Sequence, residues 1–408
     1  MSEGSSQETG APSAADAPVT RLVHASSPSA RTAGLLNPPV HRASTILYDT
    51  VEEYVARHSR LYDEVIYGLY GTETGFALAA AVAELERGHK TVVTSSGTSA
   101  ISLSLSAFLK AGDHLLIIDT AYRSTRRFCD EVLAGYGVEV SYFAPDVGGA
   151  IADLLRPNTR MVFLETPGSL TFEMADIRAI TDVTRARGVV TAIDNTWATP
   201  LLFRPIEHGV DVSIAAATKY LSGHSDVMLG TMTASTDAIF RRLKDSAARW
   251  GNVASADDCY LVQRGLRTLD VRLERHQRTA LALIDWLGRQ PEVRKVLYPA
   301  LPSDPGHAIW KRDFSGASGL FGLVLDPMTS EQTSAFFNEL RLFKMGASWG
   351  GFESLIVPAW PAPVRSCGSV GEGSLLRVHA GLEAVDDLLK DLNAAFGRLR
   401  ATPLRSSQ

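Results

Sequence analysis

Short β-rich runs alternate with amphipathic helical segments over residues 76–247, and this alternation restricts the fold more than any other feature of the sequence. It predicts a mostly parallel sheet covered by helices, in which ligands bind beyond the carboxyl ends of the strands. The predicted strands are 91–94, 115–118, 138–143, 161–164, 189–193, 212–216 and 229–233. The predicted helices are 76–85, 98–110, 124–134, 177–187 and 237–247.

The length of 408 residues exceeds what one hydrophobic core usually holds, so two domains are expected. Residues 66–255 contain the alternation and form the predicted large domain. A predicted helix over 256–290 connects it to a smaller C-terminal α/β domain over 291–402. Residues 1–20 are rich in Ser, Ala, Gly and Pro and predict a disordered tail. Residues 21–65 carry scattered apolar positions, which predicts an N-terminal arm lying on another surface. In the small domain, strands 320–325 and 375–379 and helices 330–340 and 382–399 are predicted.

The composition argues against several classes of protein. A net charge of −5 and a pI of about 6.1 offer no electrostatic basis for binding nucleic acid or an anionic membrane. No apolar run has the length of a membrane span, and the N-terminus lacks the basic and apolar regions of a secretion signal. Cys129, Cys259 and Cys367 form no CxxC motif, so neither a disulfide framework nor a metal site is predicted. A cytoplasmic protein is expected.

Two of the predicted strands end in opposite charges. Lys219 follows the run 212–216, and Asp194 follows the run 189–193. Because an unpaired buried charge is unfavourable, these side chains either form a salt bridge at the sheet edge or serve a ligand that needs both an amine and an acid. Pyridoxal 5'-phosphate (PLP) is such a ligand, since a lysine holds it as a Schiff base and an acid keeps its ring nitrogen protonated. PLP is therefore the predicted cofactor.

A turn of small residues at 95–100 separates a predicted strand from a predicted helix. Gly97 permits a close approach of the backbone, and the amides that follow it can hold a phosphate; capping of the helix by Ser96 is the simpler interpretation. The hydroxyl of Thr218 is expected at the same phosphate. Tyr122, at the end of another strand, either stacks on a pyridine ring or packs in the loop. Together these residues predict four strand ends that converge on one aromatic phosphate ester.

Motifs spread over residues 20–400 resemble those of the Cys/Met-metabolism family of PLP-dependent enzymes. They include Ile-Asp-Asn-Thr-Trp-Ala at 193–198 and Ala-Ala-Thr-Lys-Tyr-Leu at 216–221. The resemblance implies the fold-type I, aspartate-aminotransferase-like fold, with 66–255 as the PLP-binding domain. It also implies a homotetramer, a dimer of dimers in which the arm contacts the partner subunit and the sites are shared. The other matching segments are 67–72, 112–114, 120–122, 157–159, 223–226, 264–269, 310–314, 318–321, 348–354 and 377–383.

The resemblance implies roles at the cofactor. Lys219 would be the Schiff-base lysine and proton shuttle, Asp194 would pair with the ring nitrogen, and Tyr122 would stack on the ring. The phosphate would bind to the amides of Gly97 and Thr98 and to the hydroxyl of Thr218.

The resemblance also implies roles at the substrate. Arg377 would clamp the α-carboxylate by a bidentate pair, with help from Ser348. Tyr67 would enter the active site of the neighbouring subunit, and it forms the catalytic set with Lys219 and Tyr122. Trp349 occupies a position that is aromatic in β-lyases, which favours β-elimination; a tryptophan that packs at the domain interface is the alternative.

One position departs from the family pattern. The family places an arginine two residues after Tyr67, where it meets the phosphate held by the partner subunit, and this chain has Leu69. An arginine–phosphate contact is charge-assisted, so we expect either a weaker hydrogen bond from Tyr70 or compensation by another group. Cofactor affinity or substrate preference is expected to differ from the family norm. The candidates for the compensating group nearest Tyr122 in sequence are Arg123, Arg126 and Arg127, and for most of them a solvated helix face is the simpler interpretation.

The activity that the resemblance implies is that of a carbon–sulfur β-lyase. It would cleave cystathionine or a related cysteine S-conjugate to a thiol such as homocysteine, pyruvate and ammonia, as part of methionine biosynthesis and transsulfuration. The alternatives within the family are a γ-lyase, a γ-replacing synthase and a biosynthetic S-conjugate lyase. The alternative from another class of protein is a regulator that binds PLP but catalyses no reaction. The presence of Lys219, Asp194, Tyr122 and Arg377 favours an enzyme.

Overall fold

The structure, a computed structural model, describes residues 16–24, 34–360, 362–369 and 371–402. Residues 1–15 of the predicted tail 1–20 lie outside the described residues. Its end is a helix, Pro18–His24, in which Leu22 is buried against Leu78 and Val82 of the large domain. This helix begins in the last residues of the predicted tail and continues into the predicted arm, where Leu22 covers apolar surface of the large domain.

The larger sheet contains seven strands in the order β1-β7-β6-β5-β4-β2-β3. Strand β7 runs antiparallel to both of its neighbours, and the remaining pairs are parallel. The mostly parallel sheet predicted from the alternation is confirmed. The strands are β1 Lys90–Thr94, β2 His114–Ile118, β3 Glu139–Phe143, β4 Thr159–Glu165, β5 Val190–Asp194, β6 Val212–Ala215 and β7 Gly230–Ala234.

Helices cover this sheet and begin at side-chain caps. The hydroxyls of Ser96 and Thr236 and the carboxylate of Asp176 each accept a hydrogen bond from the backbone three residues later. The central strands β2 and β6 are buried along their whole length, which fits a sheet with both faces covered. The helices of this domain are Glu73–Glu86, Gly97–Phe108, Arg123–Arg127 with the π-helical Phe128–Leu133, Ile177–Ala186, Thr199–Leu202 and Asp237–Arg249. The 3-10 turns are Ala134–Tyr136, Pro145–Asp153 and Pro205–His208.

The predicted bridging helix 256–290 is two helices, Ala256–Leu266 and Leu269–Leu287. The break lies at Thr268, whose backbone amide and hydroxyl both bond to the Gly265 carbonyl at 3.2 Å. The guanidinium of Arg272 donates to the same carbonyl at 2.7 Å. Side chains therefore satisfy the carbonyl that a continuous helix would have used.

The second sheet is antiparallel, with strand order β10-β11-β9-β8. The predictions at 320–325 and 375–379 are confirmed as β9 and β11, whereas the edge strands β8 and β10 were missed. Strand β8 exposes Arg294 and Lys295, so it has no continuous apolar run; charged side chains are common on edge strands. The strands are β8 Val293–Leu297, β9 Leu320–Leu325, β10 Leu355–Pro358 and β11 Ser374–His379, and the helices are His307–Asp313, Ser330–Phe337 and Val385–Ala401.

The described part of the predicted arm buries little of itself. The helix Val51–Ala56 contains no buried residue, and the side chain of Leu47 is 88% exposed. A 3-10 turn, Arg57–Arg60, follows, and a second, Gly68–Tyr70, leads into the large domain. Among the described residues, no helix is both long and apolar enough to cross a membrane.

Candidate active site

Lys219 lies in a tight turn just after β6. Its backbone amide donates to the Ala216 carbonyl, and its own carbonyl accepts from Gly223, where φ is +70°. The side chain reaches the small domain: Nζ donates to the Ser348 hydroxyl at 2.6 Å and lies 5.5 Å from the ring centroid of Trp349. Burial, and next the charge of Arg377, lower the pKa of Lys219 to about 8 against the opposing charge of Asp194.

Asp194 is the last residue of β5, and one of its oxygens is held by Thr196. Oδ1 accepts from the Thr196 amide at 2.9 Å and from the Thr196 hydroxyl at 2.5 Å. Burial raises the pKa of Asp194, while the two bonds from Thr196 and the charge of Lys219 pull it down. Among the described residues Oδ2 accepts no hydrogen bond. The carboxylate is thus oriented and has an oxygen available for a protonated ring nitrogen.

A second carboxyl group, Glu165, ends strand β4 beside Asp194. Its Oε2 accepts from the backbone amide of Tyr122 at 2.6 Å. Burial, and next the charge of Asp194, raise the pKa of Glu165 well above its usual value. Glu165 was not predicted as a site residue, because the predicted strand ended at residue 164. The available signal was an acid at a third strand end.

Tyr122 and Arg377 lie near each other from opposite domains. Tyr122 precedes the helix Arg123–Arg127, and its side chain is 45% exposed. Arg377 extends from β11 and donates to the carbonyls of Gly346 at 2.7 Å and Ser348 at 2.9 Å. Burial lowers the pKa of Arg377, and the nearby Tyr122 partly opposes this. Two backbone carbonyls thus hold the guanidinium in place on the small-domain side of the site.

The turn before the helix Gly97–Phe108 has the form of an anion cradle. A Cβ on Gly97 would lie 2.5 Å from the Cβ of Ala216, so only glycine permits this close packing against the lysine loop. Ser96 caps the helix through the Ser99 amide at 3.0 Å, as the simpler interpretation expects. The amides of Gly97 and of the exposed Thr98 still find no acceptor among the described residues, which leaves them available to a phosphate.

The hydroxyl of Thr218 is engaged by the backbone. It donates to the Leu229 carbonyl at 3.1 Å and accepts from the Leu229 amide at 2.9 Å. A hydroxyl has a single proton, so a phosphate contact with Thr218 requires that the bond to Leu229 be exchanged. Its predicted role thus has weaker geometric support than those of Gly97 and Thr98.

Tyr67 stands apart from the other predicted site residues. It precedes the turn Gly68–Tyr70, is 47% exposed, and makes no hydrogen bond or ring contact with another candidate site residue in the described chain. Leu69 and Tyr70 follow it in that turn. The structure therefore gathers Lys219, Asp194, Tyr122, Arg377, Ser348 and Trp349 in one site, with Gly97, Thr98 and Thr218 beside the lysine loop, and leaves Tyr67 outside.

An interdomain ion cluster lies behind Tyr122. The buried carboxylate of Asp119, just after β2, accepts from Arg126 at 2.8 Å and from Arg365 at 2.7 Å. The backbone amides of Ser366 and Cys367 complete the set at 2.7 and 2.9 Å. The expectation of a solvated helix face is therefore wrong for Arg126. Arg127, in contrast, is exposed and pairs with Glu131.

A fold of this type, with a lysine and an acid at adjacent strand ends and free amides at a helix N-terminus, defines a fold-type I PLP-dependent enzyme. The model of the Cys/Met metabolism PLP-dependent enzyme family matches residues 19–397. The chain belongs to this family, and the predictions of an enzyme and of PLP as its cofactor are confirmed.

The relatives of this chain include enzymes with different names. Over 388 residues it is 44% identical to the cystathionine beta-lyase of Salmonella typhimurium, covering 93% of this chain and 98% of that protein. Over 379 residues it is 42% identical to an L-alanine/L-glutamate racemase of Wolbachia pipientis, covering 90% and 93%. A solved structure, cystathionine gamma synthase of Xanthomonas oryzae in complex with cystathionine, superposes with a TM-score of 0.88 at 31% identity, covering 95% of this chain and 100% of that one.

Proposed function

We propose that this protein is a carbon–sulfur β-lyase that cleaves cystathionine, or a related cysteine S-conjugate, to a thiol such as homocysteine, pyruvate and ammonia. The observation that carries the proposal is the contact of Lys219 with Ser348 beside Trp349. It places a lysine whose pKa is about 8 next to an aromatic wall. The 44% identity to a cystathionine beta-lyase over nearly the full length supports the same activity.

The residues that would hold the cofactor fit its groups. Lys219 would bind it covalently, Asp194 would pair with its ring nitrogen through the available Oδ2, and Tyr122 would cover its ring. The amides of Gly97 and Thr98 would hold its phosphate. When bound, PLP supplies an electron sink that stabilises negative charge at the substrate Cα.

Lys219 is suited to move protons. A general base works best when its pKa lies near the operating pH, and burial has brought Lys219 to about 8. Ser348 keeps Nζ on the small-domain side of the site at 2.6 Å. We therefore assign to Nζ the removal of the proton from Cα and the return of a proton to the departing group.

Arg377 is assigned to the substrate α-carboxylate. The carbonyls of Gly346 and Ser348 restrain one terminal nitrogen, and the Ala347 carbonyl accepts from the other at 3.4 Å. These contacts orient the guanidinium for a bidentate contact with the carboxylate. Trp349 packs against Tyr220 at a centroid distance of 5.4 Å, so its ring is a fixed wall. An apolar wall next to Lys219 suits the thioether side of a cysteine conjugate.

The assembly proposed for this enzyme is a cytoplasmic homotetramer, built as a dimer of dimers. Among the described residues Tyr67 contacts no other candidate site residue, and the neighbouring arm exposes Leu36, Leu47 and Val51. Both observations support a partner subunit that covers the arm and receives Tyr67 in its site. The corresponding domain assignment is an arm over 21–65, a PLP-binding domain over 66–255 and a small domain over 291–402.

The deciding experiment is incubation of the holoenzyme with cystathionine, followed by identification of the keto acid. Pyruvate with homocysteine is expected. The visible absorbance of the lysine-bound cofactor and the activity should both disappear in Lys219→Ala and persist in Lys390→Ala, a change at an exposed surface lysine. Formation of 2-oxobutyrate would move the assignment to a γ-lyase. Racemisation of L-alanine without keto acid would assign the activity of the Wolbachia relative. Cofactor absorbance with no turnover of any conjugate would point to the regulator.

A further inference from the structure

A cavity of about 450 Å³ lies in the large domain. None of the residues assigned under the proposed function to cofactor or substrate lines it, and Leu69 and Tyr70, expected near the phosphate of a partner subunit, form one edge. Its walls are the helices Glu73–Glu86 and Asp237–Arg249, strand β1 and the turn Gly68–Tyr70. The rings of Phe76 and Phe240 give much of it an apolar surface. Sites for small molecules usually have volumes of about 300–1,000 Å³, and the volume of this cavity lies in that range.

Lys244 places a cation on the wall of this cavity. Its Nζ donates to the Tyr70 carbonyl at 2.5 Å and lies 5.5 Å from the ring centroid of Phe76. No carboxylate of the described residues comes within ion-pair distance, and the remaining N–H groups find no acceptor there. Burial lowers the pKa of Lys244 to about 8, and no charged neighbour contributes. The side chain is thus still an ammonium ion at pH 7, only partly satisfied.

The other charged side chains around the cavity already have partners. Lys90 pairs with Asp63 at 2.5 Å, and His89 lies 3.4 Å from Asp237. Glu84 is paired with an arginine outside the cavity. Within the described lining, Lys244 is therefore the one cation without a carboxylate. A carboxylate that accepted its two remaining N–H groups would supply both the missing charge and the missing hydrogen bonds.

We propose that this cavity is a second binding site, distinct from the active site, for a small carboxylate with an apolar body that pairs with Lys244. The apolar body would contact Phe76 and Phe240, and the carboxylate would lie at Nζ. This assignment goes beyond the proposed lyase activity and does not depend on it.

The site is connected to the segment that carries Tyr67. The carbonyl bound by Lys244 belongs to Tyr70, in the turn directly after Tyr67. On its other side the turn is held by the arm: the Gly68 amide donates to the Ser44 carbonyl at 2.8 Å, and a Cβ on Gly68 would lie 2.1 Å from the Ala43 carbonyl oxygen. A carboxylate on Nζ therefore changes the contacts of a closely packed turn and is expected to order it further.

Calorimetric titration of the holoenzyme with phenylacetate tests the proposal, with neutral phenylacetamide as the matched ligand. Phenylacetate is expected to bind at least about 10-fold more tightly than the amide, which corresponds to one charge-assisted contact. Lys244→Met keeps most of the length of the side chain and removes its charge. It should weaken the binding of phenylacetate by about the same factor. The control Lys90→Met should stay within about 2-fold, because Lys90 is already neutralised by Asp63.

Hydrogen exchange locates the site without a variant. Amides of residues 67–76 in the wild-type holoenzyme should exchange more slowly with phenylacetate present. Unchanged affinity in a folded Lys244→Met would overturn the proposal and place the binding at Arg377. Equal affinity for the amide, absence of binding heat up to about 10 mM, or unchanged exchange of residues 67–76 would each overturn it as well.

Discussion

Lys219 and Ser348 are joined by a hydrogen bond of 2.6 Å between side chains 129 residues apart, and this bond links the two domains across the candidate active site. The lysine belongs to the loop after β6 and the serine to the segment before β10. Trp349, next to the serine, packs on Tyr220, next to the lysine, so two adjacent contacts fix the same junction. The position of the Lys219 amine, to which we assign proton transfer, therefore depends on the small domain.

Ser348→Ala removes the acceptor that positions Nζ. We expect kcat to fall about 5- to 20-fold, the value of one hydrogen bond, while KM changes little. The cofactor absorbance should remain, since Lys219 is unchanged. The matched control is Ser102→Ala, whose hydroxyl bonds within its own helix at 3.2 Å. Steady-state kinetics on cystathionine make the comparison, and a kcat equal to that of the wild type would show that the contact does not position the lysine.

Thr196→Val tests the orientation of Asp194. The hydroxyl donates to the carboxylate at 2.5 Å, stabilises its charged form and so lowers the pKa of Asp194. Without it the pKa rises, and the acid limb of kcat/KM should move to higher pH by about one unit. The control is Thr191→Val on β5, the strand that ends in Asp194, because the Thr191 hydroxyl bonds to Thr184 and not to the carboxylate. Coincident pH profiles for Thr196→Val and the wild type would contradict the assignment.

How far the sequence predicts this site depends on how local each feature is. Lys219 and Asp194 were predictable because each ends a short apolar run, and the parallel sheet brings such ends to one edge. Glu165 ends a neighbouring strand in the same way and was missed only by the choice of boundary. Ser348 was assigned to the α-carboxylate through the resemblance, and its contact with the lysine was not foreseen.

The interdomain contacts were not predictable from local patterns. Arg365 meets Asp119 across 246 positions in sequence, and no periodicity or turn signal relates the two. In the sequence, Lys244 is one of several charged residues on an amphipathic helix, and only the tertiary structure shows that it lines a cavity. The missed strands β8 and β10 are edge strands. Strand β8 carries two exposed cations, and β10 is only four residues long and ends at Pro358, which weakens the signal of a strand.

Asp119→Asn tests the ion cluster behind Tyr122. Burial alone would raise the pKa of Asp119, but hydrogen bonds from Arg365, from the Ser366 and Cys367 amides and from Arg126 outweigh it, so the pKa lies below its usual value. The stabilisation from the ion pairs of Asp119 with Arg126 and Arg365 is complete above about pH 4 and is lost as the pH falls through the lowered pKa of Asp119. At pH 7 the variant leaves the buried guanidinium of Arg126 without a carboxylate, whereas Arg365 keeps its pair with Glu173. A loss of about 3–5 kcal/mol is expected from the uncompensated Arg126 charge.

Thermal unfolding of the holoenzyme measures this loss. The control is Asp326→Asn, which breaks an exposed pair with Arg294 of similar length, 2.6 Å, and should change stability by less than about 1 kcal/mol. A Tm for Asp119→Asn as close to wild type as that of the control would mean that the cluster adds little to the domain junction.

Glu86→Gln tests a buried carboxyl group under the large sheet. Glu86 is 1% exposed; Oε1 accepts from the Ser213 hydroxyl at 2.8 Å, and Oε2 finds no partner among the described residues. Burial raises the pKa of Glu86 to about 8, against the opposing effects of Ser213 and Arg204. Because the folded pKa is raised, its contribution to stability is complete below about pH 4.5 and is lost as the pH rises towards 8. Glutamine stays neutral throughout, so the free energy of unfolding of the variant relative to wild type should rise with pH over that window, by up to about 1.4 kcal/mol per pH unit. Thermal unfolding measured across this pH range should show the same rise as an increasing Tm difference.

The control for this pH dependence is Glu84→Gln, two residues earlier on the same helix, where the carboxylate is half-exposed beside Arg21. Its Tm difference from wild type should show no comparable rise between about pH 5 and 8, since an exposed carboxylate has little to gain from neutralisation. Parallel curves for Glu86→Gln and Glu84→Gln would mean that Glu86 is ionised in the folded protein. In that case its unpartnered oxygen must be solvated, and the end of the helix Glu73–Glu86 must open to water more readily than its burial indicates.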